Sequence, residues 1–238
     1  QNLKPERSEE IGRSRPTKIR PSVKQRFASQ GDSLQAEIGL KLHGIEENAL
    51  IYGPGTRYVI WVQGCTLGCK GCWNQNTWNP NAGTWKSNEW ILDQIKATSD
   101  LEGVTFLGGE PLQQAEALLP LIQNIRDLGL SIFLYTGYRP EEFDETMQAC
   151  FDLADIAVTG RYIEEQRNTG LRWRGSENQV IHFNTERYQG FELEDGTDVE
   201  VTIDHDTGHV TVLGYPDPEI IQEIEDIIGM PLTRRSEF

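Results

Sequence analysis

Three cysteines within eight positions, Cys65, Cys69 and Cys72, limit the fold of this 238-residue chain more than any other feature. Their spacing, C-x3-C-x2-C, follows the apolar run Tyr58 to Val62, whose β-forming residues bounded by turn signals read as a buried strand. The loop that leaves this strand must therefore bring three sulfurs together within a few residues. Gly64, Gly68 and Gly71 relax the backbone limits that side chains impose and let it wrap. Three thiolates on one loop can hold a cubic iron–sulfur cluster and leave one iron open to a substrate. Structural zinc, an electron-carrying cluster with a remote fourth ligand, and plain reduced cysteines are the competing readings. Zinc would need Cys150 or a distant histidine to close four ligands, and no second C-x2-C occurs. A secreted disulfide framework would use an even set of cysteines at wider spacing.

The rest of the chain places that loop. Glu37 to His43 alternates and reads as a first strand, and a helix of about ten residues from Asn88 shows Trp90, Ile91 and Ile95 at the spacing of one apolar face. Val104 to Leu107 is a strand that runs into Gly108-Gly109-Glu110-Pro111, followed by a helix that stops at Gly129. Ile132 to Tyr135 is a strand that ends at Thr136-Gly137. Pro140, Glu141 and Glu142 open a helix on which Phe143, Met147 and Cys150 recur, and Asp155 to Val158 is again a strand. Alternating strands and helices with short links imply parallel βαβ units, whose chemistry sits where the strands end. Beyond residue 189 the pattern changes. Val199, Val201 and Ile203 alternate with polar residues, Asp206-Thr207-Gly208 makes a turn, and Val210 to Leu213 returns as a hairpin. Asp217 as N-cap, Pro218, an isoleucine stripe and Gly229 then define a short amphipathic helix.

Charge narrows the partners. Residues 1 to 30 carry eight Lys/Arg against three Glu, a net of +5, which leaves −20 on the remainder of a chain whose total is −15. Such an acidic body does not suit nucleic acid, and the basic, aromatic-poor start reads as a solvated tail over 1–34. No stretch of 18 apolar residues and no targeting signature is present, so the expectation is a cytoplasmic protein with no membrane partner. Glu110 offers a carboxylate to an ammonium group, and the glycines before it let a polar ligand approach the backbone; an ordinary strand-to-helix turn is the bland alternative. Cys150, on the apolar face of its helix, reads as a core thiol.

These blocks, in this order, resemble the radical S-adenosylmethionine superfamily, and within it the activating proteins of glycyl radical enzymes. The matching text is Tyr52 to Arg57, the cysteine loop with Trp73-Asn74 and Thr77-Trp78, Leu107 to Leu112, Tyr135 to Tyr138, and Leu171 to Gln179, over roughly residues 50 to 182. The resemblance implies an incomplete (β/α) barrel in which Cys65, Cys69 and Cys72 ligate a 4Fe-4S cluster. It implies a site for S-adenosylmethionine formed by Trp73, Asn74, Gly108, Gly109, Glu110, Tyr135 and Thr136, with Glu110 orienting the methionine part and Trp73 near the adenine. It implies a flavodoxin- or ferredoxin-like reductant and, as partner, a glycyl radical enzyme, anaerobic ribonucleotide reductase first among them. Another peptide or small molecule as target, or a cluster that only carries electrons, are the alternatives.

Three features depart from that pattern. Thr159 stands where these activators usually carry Asp, the chain continues for about 55 residues past Gln179, and a basic segment precedes the first strand. The division expected is therefore a tail over 1–34, a core over 35–188 and a hairpin-plus-helix appendage over 189–238. Arg172 and Arg174 are assigned to cofactor contact, partner contact or a last strand.

Overall fold

The computed structural model describes residues 38–196, 198–203, 210–214, 218–229 and 233–234. The basic tail, the turn at 206–208 and the cap at Asp217 lie outside them.

The architecture is a mixed α/β fold around a seven-stranded sheet in the order β3-β1-β2-β4-β5-β6-β7. Four central strands run parallel: β2 (Arg57–Val62), β4 (Gly103–Gly108), β5 (Ser131–Tyr135) and β6 (Ile156–Thr159). On one side β1 (Gly39–Ala49) pairs antiparallel with both β2 and β3 (Thr84–Ser87), and on the other β7 (Val180–Phe183) pairs antiparallel with β6. The sheet is open, with β3 and β7 as its two ends. A separate three-stranded sheet joins β8 (Val199–Ile203), β9 (Val210–Gly214) and β10 (Thr233–Arg234).

The parallel strands are apolar on both faces because both are covered. Tyr58, Ile60 and Val62 of β2 alternate with Val59 and Trp61. The first set joins Val104, Phe106, Ile132 and Leu134 in a core against three helices, α1 (Asn88–Ala97), α2 (Ala115–Asp127) and α3 (Glu145–Leu153). The second set packs with Leu107 and with Leu213 of β9, so the hairpin covers part of the face that the helices leave bare. The fourth helix, α4 (Pro218–Ile228), adds Ile221 beneath Val210.

Local chemistry explains most boundaries. The Ser87 hydroxyl accepts from Trp90 N and starts α1, and Ile91 and Ile95 point inward. Trp90 does not share that buried face: it is 36% exposed, with Lys86 Nζ 4.2 Å from its ring centre. The helix expected from Pro140 starts later. Pro140–Glu142 form an isolated 3-10 turn, and Asp144 then caps α3 by accepting from Thr146 N and Met147 N. β1 is longer than the alternation at 37–43 indicates, because it is anchored on both edges. Residues 171–176 form a loop, not a strand, and the edge strand begins at Val180.

Candidate functional site

The cysteine loop leaves the carboxyl end of β2 and is fixed by the backbone. Gly64 N donates to Thr77 O at 2.7 Å, Cys65 N to Trp78 O at 3.1 Å, and Cys72 N to Cys69 O at 3.1 Å. The Gly108-Gly109 turn at the end of β4 lies directly on it: Gly109 N donates to Val62 O and Glu110 N to Gly64 O. A Cβ at residue 109 would fall 2.3 Å from Gly64 O, and one at 108 would fall 2.8 Å from the backbone of Trp61 and Val62. Glycine at this pair therefore permits contact between two backbones, and two amides at the turn serve that contact.

Glu110 is 1% exposed and binds its own chain with both oxygens. Oε1 accepts from Leu112 N at 3.0 Å and from the Thr136 hydroxyl at 2.8 Å, while Oε2 accepts from Gly137 N at 2.7 Å. The carboxylate thus ties the end of β4 to the end of β5. Burial pushes it up to about 7, against the pull of these hydrogen bonds.

All ten residues singled out in the sequence line one cavity of about 550 Å³: the three cysteines, Trp73, Asn74, Gly108, Gly109, Glu110, Tyr135 and Thr136. Its walls also take residues that sequence reasoning passed over. His43 comes from β1, with Nδ1 3.0 Å from Gln63 Oε1. The Gln63 amide group donates to Asn76 O and Asn79 O, which turns its oxygen to the imidazole and leaves the Nδ1 position as the donor. Outside that lining, Arg161, two residues past the end of β6, donates to Gly137 O at 3.3 Å and to Glu142 Oε2 at 2.6 Å. Its position after a parallel strand is the signal that would have found it. Val212, Leu213 and Ile221 enter the cavity from the appendage.

The thiols suit a cluster. Burial raises Cys65 and Cys69, their negative neighbours raise them further, and the N–H groups of Leu67 and Gly68 beside Cys65 and of Tyr162 beside Cys69 oppose this. Sulfurs held as thiolates here need positive charge, and amides aimed at them are the hydrogen bonds that tune cluster ligands. Among the described residues no three Cys, His, Asp or Glu side chains converge as ligands of a single ion. Cys150 is elsewhere: fully buried in the helix core, it lies 3.7 Å from Ala115 O, and burial pushes its thiol up to about 12. Thr159, at the position of the usual Asp, is buried with its hydroxyl 2.9 Å from His182 Nε2, and burial holds that imidazole below its ordinary value.

Residues 51–182 match the family described as a 4Fe-4S single cluster domain. The anaerobic ribonucleoside-triphosphate reductase-activating protein of Vibrio cholerae is 40% identical over 141 residues, 56% of this chain and 91% of that protein. The protein of the same name from Haemophilus influenzae is 38% identical over the same shares of each chain. The chain belongs to this family of activating proteins. These two relatives are shorter, and the domain match ends at residue 182, before the appendage begins. The crystal structure of QueE from Escherichia coli aligns with 50% of the chain and 57% of its own length, at 21% identity and a TM-score of 0.37. Among the described residues no helix is long and apolar enough to cross a membrane.

Proposed function

We propose that this chain is a radical S-adenosylmethionine activase that installs a glycyl radical on an anaerobic ribonucleoside-triphosphate reductase. The observation that carries the reading is the meeting of three cysteine thiols and the Glu110 turn on one cavity, at the carboxyl ends of adjacent parallel strands. Family membership supplies the cluster type and the target named for the relatives.

Cys65, Cys69 and Cys72 would bind the 4Fe-4S cluster as thiolates. When bound, the cluster and S-adenosylmethionine supply a one-electron cleavage of the sulfonium to methionine and a 5'-deoxyadenosyl radical, which takes a hydrogen atom from the target glycine. The protein's own residues bind, orient and exclude water. Glu110 is a positioning residue, since its oxygens hold the turn and the start of the segment after β5. Trp73 and Tyr135 contribute aromatic wall, and Asn74 and Thr136 polar wall. We further assign a flavodoxin- or ferredoxin-like donor as reductant, the incomplete-barrel form to the sheet, and the division into a core over 35–188 and an appendage over 189–238.

Reconstituted, reduced protein should release 5'-deoxyadenosine from S-adenosylmethionine. With the co-expressed reductase it should produce a glycyl doublet in electron paramagnetic resonance. A full cluster with no release would refute the reading, and release without a doublet would move the target to another peptide or small molecule.

A further inference from the structure

The appendage forms the part of the cavity wall that lies beyond the matched domain. Leu213 is 2% exposed and packs with Trp61, Leu107 and Val59 on the sheet face opposite the helices. Gly214 N donates to the Tyr52 hydroxyl at 3.1 Å, and Glu200 Oε2 accepts from Leu50 N at 3.0 Å. Arg172 closes a third tie. Its Nη2 donates to Asp198 Oδ1 at 3.2 Å, and its Nε lies 3.0 Å from Asp198 Oδ2 without hydrogen-bond alignment. Arg174 adds a longer contact of 3.4 Å to Asp195. Two arginines from the block shared with the family are thus engaged by acids that lie past the end of the family match.

We propose that the appendage is the specificity wall of this site: with Tyr52 and Trp61, the side chains of Val212, Leu213 and Ile221 admit only an extended peptide segment with an apolar residue beside the glycine that receives the radical. This rests on the activase reading above. The size of the space supports it, because about 550 Å³ is the scale of a small-molecule site and must also hold the cofactor. A helix is 10–12 Å across with its side chains and has no room there, whereas an extended strand presents one residue to each side. Chemistry supports it as well: Tyr52, Trp61, Val212, Leu213 and Ile221 give the appendage end an aliphatic and aromatic stretch, while the charges beside it, Arg172 and Asp198, are spent on each other.

The test uses full-length, cluster-loaded protein and short synthetic peptides with one glycine flanked by either Leu or Lys, beside the co-expressed reductase. Radical spin formed per 5'-deoxyadenosine released is read for each. Wild type should favour the Leu-flanked peptide. Val212→Phe should lower the ratio about tenfold on that peptide and on the reductase, the scale on which a pocket discriminates side-chain size. Val212→Ala, which keeps an apolar wall but widens it, should retain the Leu-over-Lys preference. Asp198→Lys should speed proteolysis within residues 189–199 and remove the Leu preference. Equal ratios for wild type and Val212→Phe, or equal use of Leu and Lys flanks by wild type, would overturn the wall while leaving the activase reading intact. Wild type that releases no 5'-deoxyadenosine would remove the activase reading itself, and the wall with it.

Discussion

The two ends of the same parallel strands are built on opposite plans. At the amino ends Arg57 is fully buried and every part of its guanidinium is used: Nε donates to the Thr105 hydroxyl, Nη1 to the Ser131 hydroxyl, and Nη2 to Val104 O. Tyr188 closes the outside, its hydroxyl 2.6 Å from Glu102 Oε1 and 2.8 Å from Ser131 Oγ. Burial still pulls the Arg57 value down to about 10, the mark of a charge stabilised by its partners but kept from water. At the carboxyl ends, a few residues along the same strands, thiols and glycines surround an open cavity. Arg57 and the cysteine loop both lie within the matched residues 51–182, and only one of them faces the cavity. One end fixes the strands in register, which frees the other to carry groups that do not stabilise the fold.

Four substitutions can break or sharpen this contrast. Cys69→Ala, at the open end, should abolish cluster binding and 5'-deoxyadenosine release together. Iron analysis and product assay check it, and stability in urea should change by less than about 0.5 kcal/mol. Arg57→Ala, at the closed end, should cost about 3–5 kcal/mol in urea unfolding, because Thr105, Ser131 and a buried carbonyl lose their donor. The folded fraction should still bind iron through three cysteines, and a variant that lost iron without losing stability would reverse the assignment of the two ends.

Glu110→Gln lies between the two plans and should cost about 1–3 kcal/mol at neutral pH, since an amide sets a donor against the N–H of Leu112 or Gly137. The pH profile of the cluster-free chain gives the sign. Folding raises this carboxyl from 4.5 to about 7, so the fold binds the extra proton, and its contribution is present below pH 4.5 and is lost as pH rises toward 7. The glutamine variant should lack that slope in thermal unfolding. Cys150→Ala should have the smallest effect, about 1 kcal/mol from a small cavity, with cluster content and activity unchanged.

How far the sequence carried depends on how local each signal is. The four parallel strands were legible because each is a short apolar run that ends in a glycine-bearing turn, and α1 because its Ser87 cap and its isoleucine spacing lie within one stretch. The ten candidate residues stood out because their blocks follow strands, the cysteine loop with Trp73-Asn74 after β2, Gly108 to Glu110 after β4 and Tyr135-Thr136 at the end of β5. β3 was not, because Thr84–Ser87 is a polar segment that becomes a strand only beside β1. Trp90 was misplaced because spacing cannot show that Lys86 covers an indole left at the surface. His43 and the aliphatic wall of Val212, Leu213 and Ile221 reach the cavity through pairings across the fold, to Gln63 in one case and to the Tyr52 and Trp61 face in the other. No window of sequence contains those distances.

The stacking of the Gly108-Gly109 turn on the backbone of Val62 and Gly64 has a practical sequel. The entry of the cysteine loop is held by its neighbours, Gly64 and Cys65 by the carbonyls of Thr77 and Trp78 and Gly64 again by the amide of Glu110. A change at the Gly108-Gly109 turn would therefore be felt first at Cys65, and only through it at Cys69 and Cys72.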